Sequence, residues 1–464
     1  MTGYFYSLLP GVTRAIHFWD IIPVVMDKTD DDKWLHIAMR LYDAAWGLGT
    51  PLLQLNRRLK DGYTERKTGT GLPKADIWIQ AASGGEAYLA WTLAKHLKPA
   101  GPVRILVTTN TRQGLEIIGK AKTGLAASNP DLTLLSGWFP FDRPSTMAQA
   151  VSRVAPRLAV LLESELWPGF VSALKRKKCS VVIVNGRMTE KSMSGYLKFP
   201  ETCKRLRPDR VLAMSAEDRA RFRKVFGDKG VSIMSNMKFD RLEITPPELV
   251  SNAPLVPDRR NGGTSDLARL DGRFLVLGSI REEEEDPVAR IIKKVHAMRP
   301  DVVTGLFPRH LSRVPHWEKT IRGLGLRCRM RSDPDARVRA GDVVLWDVFG
   351  ELSMAYGMAD AVFVGGSLAP LGGQNFLEPL VHGIPPVIGP HYGNFAWVGE
   401  AIFHKKLVIK AANGDAVTDH LIRQLDNPAP RGEISAKARQ FITSRQGGTH
   451  TACEVIETFL NEAV

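Results

Sequence analysis

From about residue 75 onward the chain alternates short apolar, β-rich runs with stretches whose apolar residues recur at helical spacing. The first series of runs is IWIQAAS (77–83), VRILVTT (103–109), LAVLLES (158–164), SVVIVNG (180–186) and RVLAMS (210–215). Segments such as Glu86–Leu97 and Pro168–Lys178 carry the helical period between them. The pattern breaks between about Glu243 and Arg273, where PPELVSNAPLVPDRRNGGTSD is rich in proline, glycine and charge. It resumes with FLVLGS (274–279), VVTGLFP (302–308), VVLWDV (343–348), AVFVGGS (361–367), PPVIGP (385–390) and KLVIKA (406–411). Strands alternating with helices predict parallel sheets, so the expected fold is α/β with two Rossmann-like halves. The expected domains are 76–245 and 273–464, joined by a linker over 246–272, with terminal helices that cross back. Ligands of open parallel sheets bind beyond the carboxyl ends of the strands, which places the expected site in a cleft between the halves.

Residues 1–75 follow a different pattern. Over Trp34–Leu55 the residues Trp34, Leu35, Ile37, Ala38, Leu41, Ala45, Trp46, Leu48, Leu52 and Leu53 recur at roughly helical spacing, followed by Arg57, Arg58 and Lys60. An amphipathic helix with tryptophans and a basic flank suits a membrane interface, and it equally suits a helix packed on the protein's own core. The longest uncharged stretch, Pro379–Gly399, holds four prolines and cannot form a spanning helix. No secretory signal is legible, because Arg14 follows the apolar residues Tyr4–Leu9 instead of preceding them.

Composition adds two constraints. With 44% hydrophobic and 24% charged residues, the chain of 464 residues reads as globular and large enough for two or three domains. The 63 Lys+Arg against 49 Asp+Glu give +14, which favours an acidic partner: nucleic acid, an anionic membrane surface or a phosphorylated substrate. The basic residues are spread along the whole chain with no basic patch interleaved with aromatics, so nucleic acid is not expected. Cys179, Cys203, Cys328 and Cys453 form no C-x-x-C pair, which predicts reduced thiols and no zinc site.

Four places can carry chemistry. In Ser83-Gly84-Gly85-Glu86 a strand becomes a helix, so Glu86 reads as a general base or as the last residue of a capping box. Glu163 and Glu165 lie at another strand end, where they can meet a substrate or cap the next helix. Gly278, Ser279 and Arg281 follow a third strand, and Pro308, Arg309 and His310 a fourth; arginines at two strand ends can clamp a phosphate. The rest of the acidic run Glu282–Asp286 reads as a solvated helix start. Fourth, paired glycines (Gly365, Gly366, Gly372, Gly373) precede Asn375 and Glu378, a layout that suits a nucleotide's phosphate and ribose or a simple capping pair. Asp333-Pro334-Asp335 sits in a charged loop and is not counted as a metal site, and no metal or cofactor is expected.

Together the segments WIQAASGGE, TTNTRQG, PFDRP, LLESELWP, VNGRMTEKSMSGY, MSAEDRARF, NMKFD, GSIRE, FPRHLSRV, VLWDVFGELSMAYGMADAVFVGGSLAPLGGQNFLEP and GPHYGNF resemble one family. It is that of the 3-deoxy-D-manno-octulosonic acid (Kdo) transferases of lipopolysaccharide assembly, glycosyltransferases of the GT-B fold. The segments run in order from about residue 76 to 397. Gly84 or Gly85, Gln374 and Ile280 depart from the family's usual residues and mark a divergent member.

The resemblance implies inverting transfer of Kdo from CMP-Kdo to a lipid A precursor at the cytoplasmic face of the bacterial inner membrane, with no cofactor. It implies catalytic roles for Glu86 and Glu165. It assigns Pro308, Arg309, Asn375 and Glu378 to the nucleotide sugar, and the N–H groups of Gly372, Gly373 and Asn375 with Ser279, Arg281 and Lys238 are expected to stabilise the charge growing on its phosphate. Trp34, Trp46, Arg57 and Arg58 would meet the membrane and acceptor. The rival expectations are a GT-B enzyme for another nucleotide sugar or acceptor, and a non-catalytic lipid or nucleic-acid binder.

Overall fold

The computed structural model describes residues 4–5, 16–17, 31–55, 59–163, 166–242, 272–333 and 338–462. The chain forms two units, one of residues 1–242 with 445–464 and one of residues 243–444. Most of the expected linker, 246–271, lies outside the described residues, as do Arg57, Arg58 and Glu165 and the side chain of Trp34.

Near the amino terminus β1 (Tyr4–Phe5) pairs antiparallel with β2 (Ile16–His17). The first unit then contributes β3 (Ile77–Ala81), β4 (Val103–Thr109), β5 (Leu132–Trp138), β6 (Leu158–Leu162), β7 (Ser180–Gly186), β8 (Arg210–Ala213) and β9 (Val231–Ile233). They form one parallel sheet in the order β5-β4-β3-β6-β7-β8-β9. Every residue of β3 and β6 is buried, because helices cover both faces of the sheet. Trp78, Phe139 and Phe170 pack on one face, and Ile77, Ile79 and Leu89 on the other.

In the second unit β10 (Phe274–Ile280), β11 (Val303–Pro308), β12 (Arg327–Met330), β13 (Asp342–Leu345), β14 (Ala361–Val364), β15 (Val387–Ile388) and β16 (Ile409–Lys410) form a second parallel sheet. Its order is β12-β13-β11-β10-β14-β15-β16. The last helix, Gly448–Glu462, belongs to the first unit, where Ala452, Cys453, Ile456 and Leu460 pack against the helix Gly84–His96. All four cysteines are buried and unpaired.

The helix Asp31–Gly49 has two faces. Met39, Tyr42 and Trp46 point inward and join the first unit's core, with Trp46 stacked on Phe141 at 5.8 Å between ring centroids. Ile37, Leu41 and Leu48 form the opposite stripe and are 44%, 45% and 82% exposed. Of the two readings open in the sequence, core packing describes Trp46, while among the described residues the outer apolar stripe stays exposed. No helix among the described residues is long and apolar enough to cross a membrane.

Candidate active site

In the first sheet the order of strands reverses between β3 and β6, and in the second it reverses between β10 and β14, with β12 lying outside β13 at the far edge. The loops leaving the two strands at such a point diverge, and they open a crevice at the carboxyl edge of the sheet. Both groups of candidate residues lie at these two points.

In the first unit, Ser83 caps the helix Gly84–His96 by accepting from Glu86 N–H, and Glu86 bends back over the same turn. Its Oε1 accepts from Ser83 Oγ at 2.9 Å and its Oε2 from Ala82 N–H at 2.7 Å. The capping geometry therefore exists, and it orients the carboxyl group. Glu86 is only 8% exposed, and burial, reinforced by the charge of Glu163, pushes its carboxyl up to about 7. Hydrogen bonds from Ala82 and Ser83 and the charge of Lys238 pull it down less. A side chain at position 84 would collide with Gln113 at 2.9 Å, whereas one at 85 would meet only Ser83 Oγ at 3.8 Å. A side chain at 84 would be admitted only if the flexible end of Gln113 moved aside, whereas one at 85 would make ordinary contact with Ser83.

Glu163 follows β6 with φ at 60°, a left-handed conformation that costs a non-glycine residue about 1–2 kcal/mol. Its N–H donates to Val184 O at 3.0 Å and its Oε1 pairs with Lys238 Nζ at 2.5 Å, contacts that hold the turn. Lys238 thus lies in the first unit beside Glu86, whereas the other residues assigned to the nucleotide belong to the second. The segment after β9 places it: Asn185 Oδ1 accepts from Met237 N–H and Asn236 Oδ1 from Lys238 N–H, each at 3.0 Å. Asp142, from the PFDRP segment, is fully buried and accepts from Gly169 N–H, Phe170 N–H and Tyr42 Oη, so it caps the helix Pro168–Arg176 that follows the Glu163 turn. Burial pushes its carboxyl up to about 7 against these three bonds.

In the second unit Glu284 departs from the solvated role expected for the run Glu282–Asp286. It is fully buried and accepts from the N–H groups of Gly366, Ser367, Leu368 and Arg281. Four backbone donors at the reversal point need an acceptor, and one carboxylate supplies it. Gly365 admits no side chain, because a Cβ there would meet Glu284 Oε1 at 2.4 Å. Glu285 is also buried and pairs with Arg313 at 2.6 Å.

The glycine turn that follows is tied to itself. Gly373 N–H donates to Gly366 O at 2.7 Å and Gln374 N–H to Gly365 O at 3.1 Å, so neither hydrogen is offered to a ligand. Gly372 takes φ at 85°, and Asn394, from GPHYGNF, binds the turn through Gly372 O, Leu371 O and Gly373 O. Asn375 Nδ2 donates to Glu378 Oε1 at 2.9 Å, while its Oδ1 accepts from Leu377 N–H at the start of the helix Leu377–Val381. Burial raises the Glu378 carboxyl, and the bond from Asn375 and the charge of Arg309 oppose this. Arg309 is exposed, with its N–H on Ile280 O at 2.7 Å, and Pro308 ends the buried strand β11. Ser279 has φ at 57°, and Arg281 is half-buried with Glu283 at 3.7 Å. Behind Pro308, Phe307 stacks on Trp346 at 4.2 Å, and Glu351 holds the Trp346 indole and Arg331.

The structure therefore gathers Glu86 and Lys238, with Glu163, in one unit. In the other, Arg309, Asn375, Glu378, Ser279, Arg281 and the glycine turn stand at neighbouring strand ends. Sequence reasoning missed Glu284 and Asn394, whose acceptor and donor roles depend on contacts 82 and 23 residues away. Among the described residues no cluster of three or more His, Cys, Asp or Glu could hold a metal.

Comparison with known proteins bears on both units. A family model described as 3-deoxy-D-manno-octulosonic-acid transferase (kdotransferase) matches residues 54–241. A 3-deoxy-D-manno-octulosonic acid transferase of Bordetella pertussis is 29% identical over 398 residues, 83% of this chain and 88% of its own. The enzyme so named from Haemophilus influenzae is 24% identical over 414 residues, 88% of this chain and 92% of its own. A crystal structure of a glycosyltransferase from Rickettsia africae covers 84% of this chain and 99% of its own, with 12% identity and a TM-score of 0.50, a likeness of fold.

Proposed function

The chain belongs to the 3-deoxy-D-manno-octulosonic acid transferase family, with the GT-B fold, and on that premise we propose that it transfers Kdo from CMP-Kdo to a lipid A precursor. The observation that carries the catalytic half of this reading is the environment of Glu86. A buried carboxylate balanced near neutrality between Glu163 and Lys238 is suited to taking a proton from an attacking hydroxyl. In the reaction the acceptor oxygen bonds to the anomeric carbon of Kdo as the bond from that carbon to the CMP phosphate oxygen breaks. The hydroxyl proton goes to Glu86 and the electron pair leaves with CMP. Attack opposite the leaving phosphate inverts the anomeric centre.

The second unit would hold the nucleotide sugar. Glu378, kept in place by Asn375, has the geometry to accept from ribose hydroxyls, and Arg309 beside it carries charge suited to the phosphate or base. Pro308, Ser279, Arg281 and Gly372 complete this assignment through the strand ends and the glycine turn, which Gly373 closes by donating its N–H to Gly366 O. Lys238 enters it by its charge, which favours an anion near the reacting centre. Glu165, two positions after Glu163 in the sequence and outside the described residues, is proposed to share in catalysis.

The acceptor side is proposed to work at the cytoplasmic face of the inner membrane. Its support is the exposed stripe Ile37, Leu41 and Leu48 together with the +14 charge, a combination suited to an anionic bilayer. Trp34, Arg57 and Arg58 belong to the same proposal, and Trp46 contributes to it by anchoring the helix to the core. The experiment that tests the catalytic reading is Glu86→Gln assayed with CMP-Kdo and acceptor. Turnover should be lost while the protein stays folded, and retained turnover would return Glu86 to a capping role alone.

A further inference from the structure

The segment that carries Lys238 is held by more contacts than a connecting loop needs, and they converge on the chain's last helix. After β9, residues 236–242 touch four separate elements of the first unit. Met237 and Lys238 are fixed by the Asn185 and Asn236 amide oxygens, and Lys238 Nζ pairs with Glu163. Asp240 then accepts from Gly447 N–H at 2.7 Å and Thr449 N–H at 2.6 Å, which caps the helix Gly448–Glu462 from outside. Gln446 Nε2 donates to Phe239 O at 3.1 Å. Arg241 lies over the ring of Tyr88, 4.3 Å from its centroid, on the helix that Glu86 begins.

The C-terminal helix reaches the same two places from its own side. At its start, Gly448 is packed so closely on the segment that a Cβ would meet Ser235 O at 2.0 Å. Along its body, Ala452, Cys453, Ile456 and Leu460 lie in the core cluster that holds Leu89, Ala90 and Leu93 of the Glu86 helix. Glu457 accepts from Lys98 N–H at 2.7 Å, just beyond the end of the Glu86 helix. One helix thus buttresses Glu86 from behind and Lys238 from below, and Asp240 is the group that joins its amino terminus to the Lys238 segment.

We propose that Asp240 is a positioning residue for catalysis: by clasping the C-terminal helix it holds Lys238 against Glu163 and keeps the charges facing Glu86 in balance. The proposal rests on the reading of Glu86 as the base. The charged groups acting on Glu86 are Glu163, from the end of β6, and Lys238, from the segment after β9. On the C-terminal helix, His450 and Glu454 pair with each other on the exposed face. Arg241 is engaged on Tyr88. If the clasp is opened, Lys238 loses its fixed place beside Glu163, and the negative charge facing Glu86 is less well compensated. Glu86 then holds its proton to higher pH.

The test compares Asp240→Ala with the parent, using Asp240→Asn as the conservative variant that retains one acceptor oxygen. Glu86 is titrated directly by 13C NMR of protein labelled at the glutamate side-chain carboxyl, with Glu86→Gln identifying its resonance, and kcat is measured from pH 6 to 9 with CMP-Kdo and acceptor. We expect the Glu86 titration in Asp240→Ala to move up by about half a pH unit or more. The rising limb of kcat should move with it, and Asp240→Asn should fall between. Lys238→Met should move the titration in the same direction, and adding Asp240→Ala to it should give no further shift. A Glu86 titration identical to the parent's in folded Asp240→Ala overturns the proposal, as does a further shift in the double variant. A shifted titration in a protein that transfers no Kdo under any condition would sustain the clasp and refute the enzyme assignment, so the two failures are distinct.

Discussion

Replacing Glu86 by glutamine removes the base while keeping the shape of the helix start, so its consequences can be worked out separately for rate and stability. The Glu86 carboxyl is raised from 4.5 to about 7, which makes its ionisation in the fold less favourable by about 3 kcal/mol. Near pH 7 a substantial fraction of molecules carries the proton, so kcat of the parent should rise with pH through about 7. Glutamine cannot accept a proton, and loss of a general base typically costs 10²–10⁴-fold in rate, or about 3–5 kcal/mol of barrier. For stability, a folded value above the unfolded one means that the native state binds more protons. The group's contribution is fully present below about 4.5 and is lost as pH rises through about 7. Glutamine loses one of the two accepted hydrogen bonds, about 1 kcal/mol, but carries no charge to bury. At pH 5 the variant should therefore be slightly less stable than the parent, and at pH 9 more stable by about 2 kcal/mol. Urea titrations at the two pH values and a coupled assay for CMP release measure both effects. Turnover within tenfold of the parent, or a stability difference that does not change sign with pH, would refute the reasoning.

Three other outcomes follow from the same structure. Glu378→Ala should weaken CMP binding by about 1–3 kcal/mol in calorimetry, because it removes a charged acceptor, and unchanged affinity on a folded variant would end its nucleotide role. EDTA should leave transfer unaffected, since the departing phosphate is stable without a metal partner; activity lost to the chelator and restored by magnesium would contradict this. Changing Ile37, Leu41 and Leu48 together to serine should weaken binding to anionic liposomes by about 1 kcal/mol each with little loss of melting temperature, because all three face outward. Binding equal to the parent's would remove the membrane reading of that stripe.

The parallel α/β architecture was legible because central strands buried on both faces are written as continuous apolar runs. Within the two parallel sheets the three strands not legible in the sequence, β5 (LTLLSGW), β9 (VSI) and β12 (RCRM), all lie at sheet edges, where polar and charged residues are tolerated. Edge position weakens the signal on which the reading depended, although the edge strand β16 kept it in KLVIKA. The same limit acts in the site. Ser83 and Glu86 are close in sequence, so their contact was foreseeable, and both the capping geometry and the buried, near-neutral carboxyl exist in one residue. Glu284 looked like part of a solvated acidic run because the donors that bury it lie in a turn some 80 residues onward. Asp240 and Lys238 share the motif NMKFD, yet their partners, Gly447, Thr449 and Glu163, come from distant parts of the chain. Trp46 fitted a membrane-facing helix as well as a core-facing one, since a helical period does not say which apolar stripe turns inward.

The most direct test of the assignment is incubation of the purified protein with CMP-Kdo and a lipid A precursor in anionic vesicles, followed by mass spectrometry of the lipid and measurement of released CMP. The account predicts lipid heavier by one or more whole Kdo residues, with one CMP released for each residue added and neither product formed by Glu86→Gln. CMP released without any gain in lipid mass, or a gain that appears only with a different nucleotide sugar, would contradict it.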